Sequence, residues 1–298
     1  MARRGSITDS SIPDIISKYL VGISLGELAF EHHVRTTKIR DILIHNNIRI
    51  RGRGEQVDKS KYHTYSKYTW NDNYFETIDT IEKAYWLGFL YADGNVFFQK
   101  SKSEQGGTKG ARIEFSLKKD DKYMLYNFIN SIDGNMPIKD RIVRLKGKEY
   151  DSSRVFVNSV KMANDLIDNG CVPCKSLLLK FPSCVPEDML SHFIRGYFDG
   201  DGCVVFYREN QLKQFNVSML GTMEFLTGVQ QYLHSKGIDS MSLKTHPTKR
   251  MSMLILFGIA NYKKFFDVIY DHKTYYLERK YNLFVEALNH YKGSRYLP

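Results

Sequence analysis

The sequence predicts an α+β protein in which two pseudo-symmetric αββαββα repeats follow a small all-α module. Three observations carry this reading. Helical periodicity fills roughly the first 50 residues, and from residue 79 one order of helices and strands occurs twice. Each copy opens with a helix that ends in Asp-Gly, at Asp93–Gly94 and at Asp201–Gly202. Asp201 lies 108 positions after Asp93 (201 − 93), about the length of one half-domain.

Residues 1–50 read as one compact helical unit. "SIPDIISKYLVG" places Ile12, Ile15, Ile16, Tyr19 and Leu20 at helical spacing, and Gly22 stops the run. Ser24 and Glu27 form a capping box for a second helix that carries Leu28 and Ala29. Val34 fills the turn, and Thr36 or Thr37 is expected to cap a third helix. Ile39, Ile42 and Leu43 would face inward there, with Lys38, Asp41 and His45 outward. This is the pattern of a helix-turn-helix with 36–45 as recognition helix, and it resembles the small modules of resolvases and many phage proteins. A purely structural helical cap is the alternative.

Arg49, Arg51 and Arg53 follow, alternating as minor-groove arms do. Residues 51–78 read as a basic linker in which Lys59, Lys61 and Lys67 interleave with Tyr62, Tyr65 and Tyr68. A solvated linker explains the same composition.

The first repeat spans 79–182: a helix at 79–92, strands at 96–99 and 112–118, a helix at 122–131, strands at 139–146 and 154–158, and a helix at 161–169. The second spans 183–298, with helix 187–200, strands 204–208 and 214–218, and helix 223–236. Strands 241–244 and 251–257, helix 262–270 and a last helix at 277–288 complete it. "FPSCVPED", with Pro182 and Pro186, links the two.

Forty-three Lys and Arg against thirty-three Asp and Glu give a net charge of +10, which points to a polyanionic partner. The longest apolar runs, such as Met253 to Phe257, are too short to span a bilayer, so no membrane partner is expected. No cationic-then-apolar leader opens the chain. The expectation is a soluble protein that is not secreted, cytoplasmic in a bacterial or phage setting or within an organelle. Cys171 and Cys174 form a C-x-x-C, with Cys184 and Cys203 further on. That spacing matches no common zinc pattern, and small buried hydrophobes are the better reading.

The chemistry is carried by the two repeat-opening helices, "WLGFLYADG" (86–94) and "IRGYFDGDG" (194–202). Gly88 and Ala92 lie four residues apart, as do Gly196 and Gly200, so each pair shares one helix face. Small residues on that face let two helix backbones approach closely. Gly94 and Gly202 are expected as left-handed C-caps. Each Asp then sits at the negative end of its helix. If the helices pack side by side, like charges meet, and a hard oxygen-seeking cation such as Mg²⁺ resolves the conflict.

These nonapeptides resemble the motif that names the LAGLIDADG family of homing endonucleases, over residues 79 to about 290. The resemblance implies two saddle-like antiparallel sheets laid on double-stranded DNA. It also implies a staggered double-strand break made across the minor groove, with one motif Asp serving each strand. Metal ligation falls on Asp93 and Asp201 with Ala92 and Gly200 beside them, at two or more Mg²⁺ sites. The family often places a lysine late in each repeat, and Lys175 and Lys280 correspond, 82 (175 − 93) and 79 (280 − 201) residues after the motif acids. The sixth motif position differs, being Tyr91 in one copy and Asp199 in the other.

Strand alternation assigns the DNA face. "ARIEFSLK" turns Ile113, Phe115 and Leu117 inward and leaves Arg112, Glu114, Ser116 and Lys118 for the duplex. Arg154 and Asn158 follow the same rule, as do Gln214, Asn216 and Ser218 opposite Phe215 and Val217. The resulting expectation is a monomer that cuts DNA at a long, pseudo-palindromic site, intron-encoded or free-standing rather than an intein. An RNA maturase with an intron RNA partner and a non-cleaving DNA-binding regulator are the alternatives.

Overall fold

The structure is a computed structural model that describes residues 7–20, 22–51, 68–100, 108–145, 147–209, 212–246 and 251–292. The chain divides into two units, Met1–Lys67 and Tyr68–Pro298. No helix among the described residues is long and apolar enough to cross a membrane.

In the first unit, helices α1 (Ile12–Leu20), α2 (Leu25–Glu31) and α3 (Thr36–His45) close around Ile15, Tyr19, Leu28, Ile39 and Leu43. The Ser24 hydroxyl accepts the Glu27 N–H and the Glu27 carboxylate accepts the Ser24 N–H, which completes the expected capping box. The start of α3 differs from expectation. Neither Thr36 nor Thr37 caps it: Arg35 holds the N-cap position without a side-chain bond, and Thr36 is already helical. Here the Arg35 carbonyl accepts the N–H groups of Lys38 and Ile39.

The second unit holds two copies of one topology. Helix α4 (Ile81–Asp93) leads into β1 (Gly94–Lys100) and β2 (Thr108–Lys118). Then come α5 (Lys122–Ser131), β3 (Lys139–Leu145), β4 (Lys148–Val157) and α6 (Val160–Asp168). Helix α7 (Leu190–Asp201) leads into β5 (Gly202–Glu209) and β6 (Leu212–Gly221). It is followed by α8 (Met223–Ser235), β7 (Met241–Thr245), β8 (Ser252–Leu256) and α9 (Ile259–Tyr270), and α10 (Glu278–Tyr291) closes the described chain. Both sheets are antiparallel, ordered β1-β2-β4-β3 and β5-β6-β8-β7 among the described residues.

Burial explains where sequence reading found the strands and where it fell short. Ile113, Phe115 and Leu117 are buried on the inner face of β2, and Phe215 and Val217 on that of β6. The first four residues of β4 are all exposed, so no alternation marks them. Residues 68–78, read above as the end of a linker, belong to the second unit, because Tyr74, Phe75 and Ile78 are buried in its core. The rest of the linker, with Arg53, Lys59, Lys61, Tyr62, Tyr65 and Lys67, lies outside the described residues.

The two motif helices pack face to face at the centre of this unit. A Cβ built on Gly88 would overlap the Phe193 carbonyl oxygen and stand 3.0 Å from Tyr197 N. One built on Gly196 would overlap the Tyr85 carbonyl oxygen and stand 2.8 Å from Phe89 N. At Gly200 it would overlap Ala92 Cβ. All four residues expected at the helix interface are therefore there.

The expected left-handed caps are not. Gly94 (φ −76°, ψ 156°) and Gly202 (φ −78°, ψ 154°) are extended and open β1 and β5 directly. Glycine is needed at these positions for space rather than for a positive φ. A Cβ on Gly94 would come within 2.7 Å of the Leu90 carbonyl oxygen, and one on Gly202 would overlap that of Phe198.

We expect Gly88→Ala and Gly196→Ala each to destabilise the second unit by about 1–3 kcal/mol or more, because backbone rather than a movable side chain must give way. Gly110→Ala, with open space around its Cβ, is the control and should leave the unfolding temperature near that of the parent. Thermal unfolding of the three variants checks this.

Candidate functional site

Each motif acid sits at the joint between a central helix and the first strand of its sheet. The α4 ladder runs through Asp93 to the Gly94 N–H, which donates to Leu90 O, and Gly202 N–H donates to Phe198 O in the same way. Because the helices touch at their glycines, their C-terminal ends also meet. A Cβ on Gly200 would lie 3.2 Å from the Asp93 carboxylate oxygen.

The electrostatics follow from that closeness. The Asp93 carboxyl is pushed up to about 6, first by loss of water and next by the Asp201 charge. Asp93 is exposed as a residue, yet its carboxyl is hemmed in by the paired helix ends, so it keeps an open side while losing much of its hydration. Among the described residues no hydrogen bond or ion pair holds this carboxylate. Two acids at two negative helix ends form a donor set that suits a hard divalent cation, with oxygen ligands and room for water and phosphate.

Both expected lysines arrive at the same place in their halves. Lys175, in a 3-10 turn (Lys175–Leu177), donates to the Gly94 carbonyl. Lys280, in the first turn of α10, donates to the carbonyls of Phe198 (2.7 Å), Gly200 (3.2 Å) and Gly202. In each half an ammonium thus meets the carbonyl of the glycine after the motif acid. Lys280 is buried, and desolvation pushes its pKa down to about 8.

The outer face of the first sheet is basic. Arg112, Glu114, Ser116 and Arg154 are half-buried there, with Lys118 and Asn158 exposed. Arg112 Nε donates to Asn158 Oδ1 at 3.0 Å. Glu114 is engaged by Arg154 at 3.3 Å and Arg141 at 3.6 Å, so it tethers arginines rather than standing free. Arg112 and Arg154 lie over the Phe156 ring at 4.9 and 4.7 Å, and Lys139 approaches it at 5.9 Å. Sequence reading missed Lys139, Arg141 and Phe156. Their register opposite Ser152 and Arg154 could have revealed the first two only once the β3–β4 pairing was known.

On the second sheet Gln214 and Asn216 are exposed and Ser218 half-buried, as expected. Beside them stand Tyr207, whose hydroxyl donates to Gln214 Oε1 at 2.7 Å, and half-buried Val205, Met253 and Ile255, with exposed Lys244 paired opposite Met253.

In the helical unit Lys38, His45 and Arg49 are exposed. Arg51 instead folds back, stacking 4.1 Å from the Tyr19 ring centroid and donating to the Ile23 carbonyl, so the expected arm is spent within its own unit. All four cysteines are free, with Cys171 buried. Among the described residues the one cluster of three potential metal ligands is Asp14, Glu31 and His32, whose two carboxylates are already bridged by Lys18.

Residues 188–270 match the family model described as the LAGLIDADG-like domain. No curated protein matches the chain. Among solved structures it is similar to meganuclease I-SmaMI bound to uncleaveable DNA with a TTCT central four (12% identity, 72% of this chain and 93% of that one, TM-score 0.47). It is also similar to the I-LtrWI LAGLIDADG homing endonuclease bound to target DNA (11% identity, 74% and 91%, TM-score 0.47). Mesophilic variants of the homing endonuclease I-DmoI are a third likeness (16% identity, 74% and 99%, TM-score 0.45). The matched span lies within the second repeat. The first repeat reproduces the element order of the second through α9, its sheet order and the packing of its motif helix.

The raised Asp93 pKa has a testable sign. Its carboxyl binds a proton more tightly in the folded chain (about 6) than in the unfolded one (3.8), so ionisation costs stability as pH rises through that interval. In chelator, Asp93→Asn should gain thermal stability relative to the parent from about pH 4 to about pH 6 and hold that gain above it. A constant difference across pH would contradict the assignment.

Proposed function

We propose that this chain is a site-specific DNA endonuclease of the homing type that cuts both strands as a monomer. The carrying observation is the pair of motif acids, Asp93 and Asp201, brought together at two close-packed helix ends, each with a lysine on the adjoining carbonyl. Both half-sites lie in one polypeptide, so no second copy is needed to complete the pair.

Asp93 and Asp201, with the adjoining main chain of Ala92 and Gly200, would hold divalent metal, Mg²⁺ by the chemistry of the donors. Bound there, such an ion supplies an acidified water and stabilises the departing oxygen. The lysines place positive charge beside each acid. Lys280, its ammonium seated on the carbonyls of Phe198, Gly200 and Gly202, would balance charge building on the phosphate. The basic first sheet and the polar second sheet would lie in the grooves on either side of the cut, which would be staggered across the minor groove. The helical unit would extend the contact through Lys38, His45 and Arg49 as a helix-turn-helix.

The test is cleavage of a duplex library of randomised sequence with Mg²⁺ and with chelator. The parent should yield double-strand breaks at one recovered site, whereas Asp93→Asn and Asp201→Asn should each leave one strand intact, and opposite ones. Lys280→Met should slow a single strand by about 10²–10⁴-fold. Absence of any cut by the parent, or undiminished cutting by both Asp variants, would sink the reading.

Arginine contacts are separable on the same site. Arg154→Ala should either relax preference at one base pair by about 1–3 kcal/mol or lower the salt slope of binding by about 1, according to whether it meets a base or a phosphate. Binding titrations across salt and across single-base variants distinguish the two.

A further inference from the structure

The sixth motif position differs between the halves, and the surroundings of Tyr91 and Asp199 explain the difference. The Tyr91 hydroxyl donates to the Asn169 carbonyl at 2.6 Å. Asn169 is the C-cap of α6, six residues before Lys175, and its own amide donates to Phe75 O at 2.6 Å. Gly170 (φ +88°) leaves the room: a Cβ there would overlap the Tyr91 hydroxyl. The next residue, Cys171, lies with its thiol 3.6 Å from the Leu90 carbonyl. The chain running to Lys175 is thus laid along the motif helix.

In the other half the buried Asp199 carboxylate accepts the Tyr85 hydroxyl at 2.7 Å and the Leu277 N–H at 2.9 Å. Leu277 is the N-cap of α10, three residues before Lys280, and it has no side-chain cap of its own. Arg195 pins the same connection from the side, donating to Tyr275 O at 2.9 Å and Ile269 O at 2.8 Å.

The two arrangements do one job with opposite polarity. The lysine-bearing segment of the first half presents a helix C-terminus, whose free groups are carbonyls, so the motif supplies a donor. That of the second half presents a helix N-terminus, whose free groups are N–H, so the motif supplies an acceptor.

We propose that Tyr91 and Asp199 are positioning residues, each tying the segment that carries Lys175 or Lys280 to its own motif helix. Each therefore governs cleavage of one strand. This rests on the nuclease reading above. The role is set by hydrogen bonding, so Asp199→Asn, which keeps an acceptor oxygen, should restore what Asp199→Leu loses.

The test uses the full chain and a duplex recovered from the randomised library by the parent's own cleavage, each strand labelled separately, with Mg²⁺. Single-turnover rates and DNA affinity are measured for the parent, Tyr91→Phe, Asp199→Leu, Asp199→Asn, Lys175→Met and Lys280→Met. Tyr91→Phe should slow by about 10–100-fold only the strand that Lys175→Met slows, and Asp199→Leu only the strand that Lys280→Met slows. Affinity should not change, and Asp199→Asn should cleave close to the parent rate.

Equal slowing of both strands, a loss of affinity that accounts for the effect, no slowing at all, or an Asp199→Asn as slow as Asp199→Leu would each overturn the proposal. Should Asp199→Leu fail to fold, Tyr91→Phe, which removes one hydroxyl, decides alone. A parent that cuts no library member overturns the nuclease reading, and this inference falls with it.

Discussion

Two helices that touch backbone to backbone set the terms for the rest of the second unit. Gly88 and Gly196 each meet the other helix at a carbonyl, with no side chain between them. A contact this close fixes the separation of the helices, since nothing in it can change rotamer. It also fixes their ends. Asp93 and Asp201 are held together by steric necessity, against their mutual repulsion and against both helix dipoles. The packing of buried aromatics around this seam, Tyr85, Trp86, Phe89, Phe193 and Phe198 among them, maintains the arrangement. The protein thereby holds a close pair of acids whose mutual repulsion a bound cation would relieve.

Much of this was legible in the sequence, for a physical reason. A close helix contact needs small residues four apart, and half-buried strands need alternation. Both leave marks that Gly88, Gly196, Ile113, Phe115 and Val217 display openly. What escaped was set by partners distant in the chain. The Asp-Gly steps looked like left-handed caps because glycine there has two possible causes, a positive φ or a lack of space, and one sequence cannot separate them. The exposed half of β4 carried no alternation, and Tyr74 and Phe75 looked like linker because their burial depends on a core assembled later in the chain. Lys175 and Lys280 could be matched by position, but their shared target, the carbonyl after each motif acid, is a property of the folded chain alone.

The duplication holds from motif helix to the third helix of each repeat, α10 being extra, and is loose in chemistry. Lys175 comes from a 3-10 turn and Lys280 from a helix, so the second is the more buried and the more desolvated of the two settings. Arg279, beside Lys280, forms an ion pair with buried Asp121 of the first repeat at 3.0 Å, and the Glu278 N–H donates to the Tyr123 hydroxyl at 2.7 Å. The start of α10 is therefore braced by both repeats, and the segment after Lys175 is met from the second repeat by the Thr222 hydroxyl, which donates to the Leu179 carbonyl. The two lysines thus reach equivalent carbonyls from unequal settings.

The same inequality extends to the outer faces of the sheets. On the first, Arg112 and Arg154 lie over Phe156 and Glu114 holds Arg141 and Arg154, which limits the rotamers these arginines would give up on binding a ligand. On the second, amides and a tyrosine stand among half-buried aliphatic side chains. Pre-organised guanidinium groups favour guanine edges and phosphates, while methyl-bearing and amide side chains favour thymine methyl groups and adenine edges. On the proposed nuclease reading, such unequal faces would suit a target whose halves are related in position but not in sequence. Fusing two repeats in one chain is what makes this divergence possible, because a symmetric dimer would have to present the same face twice.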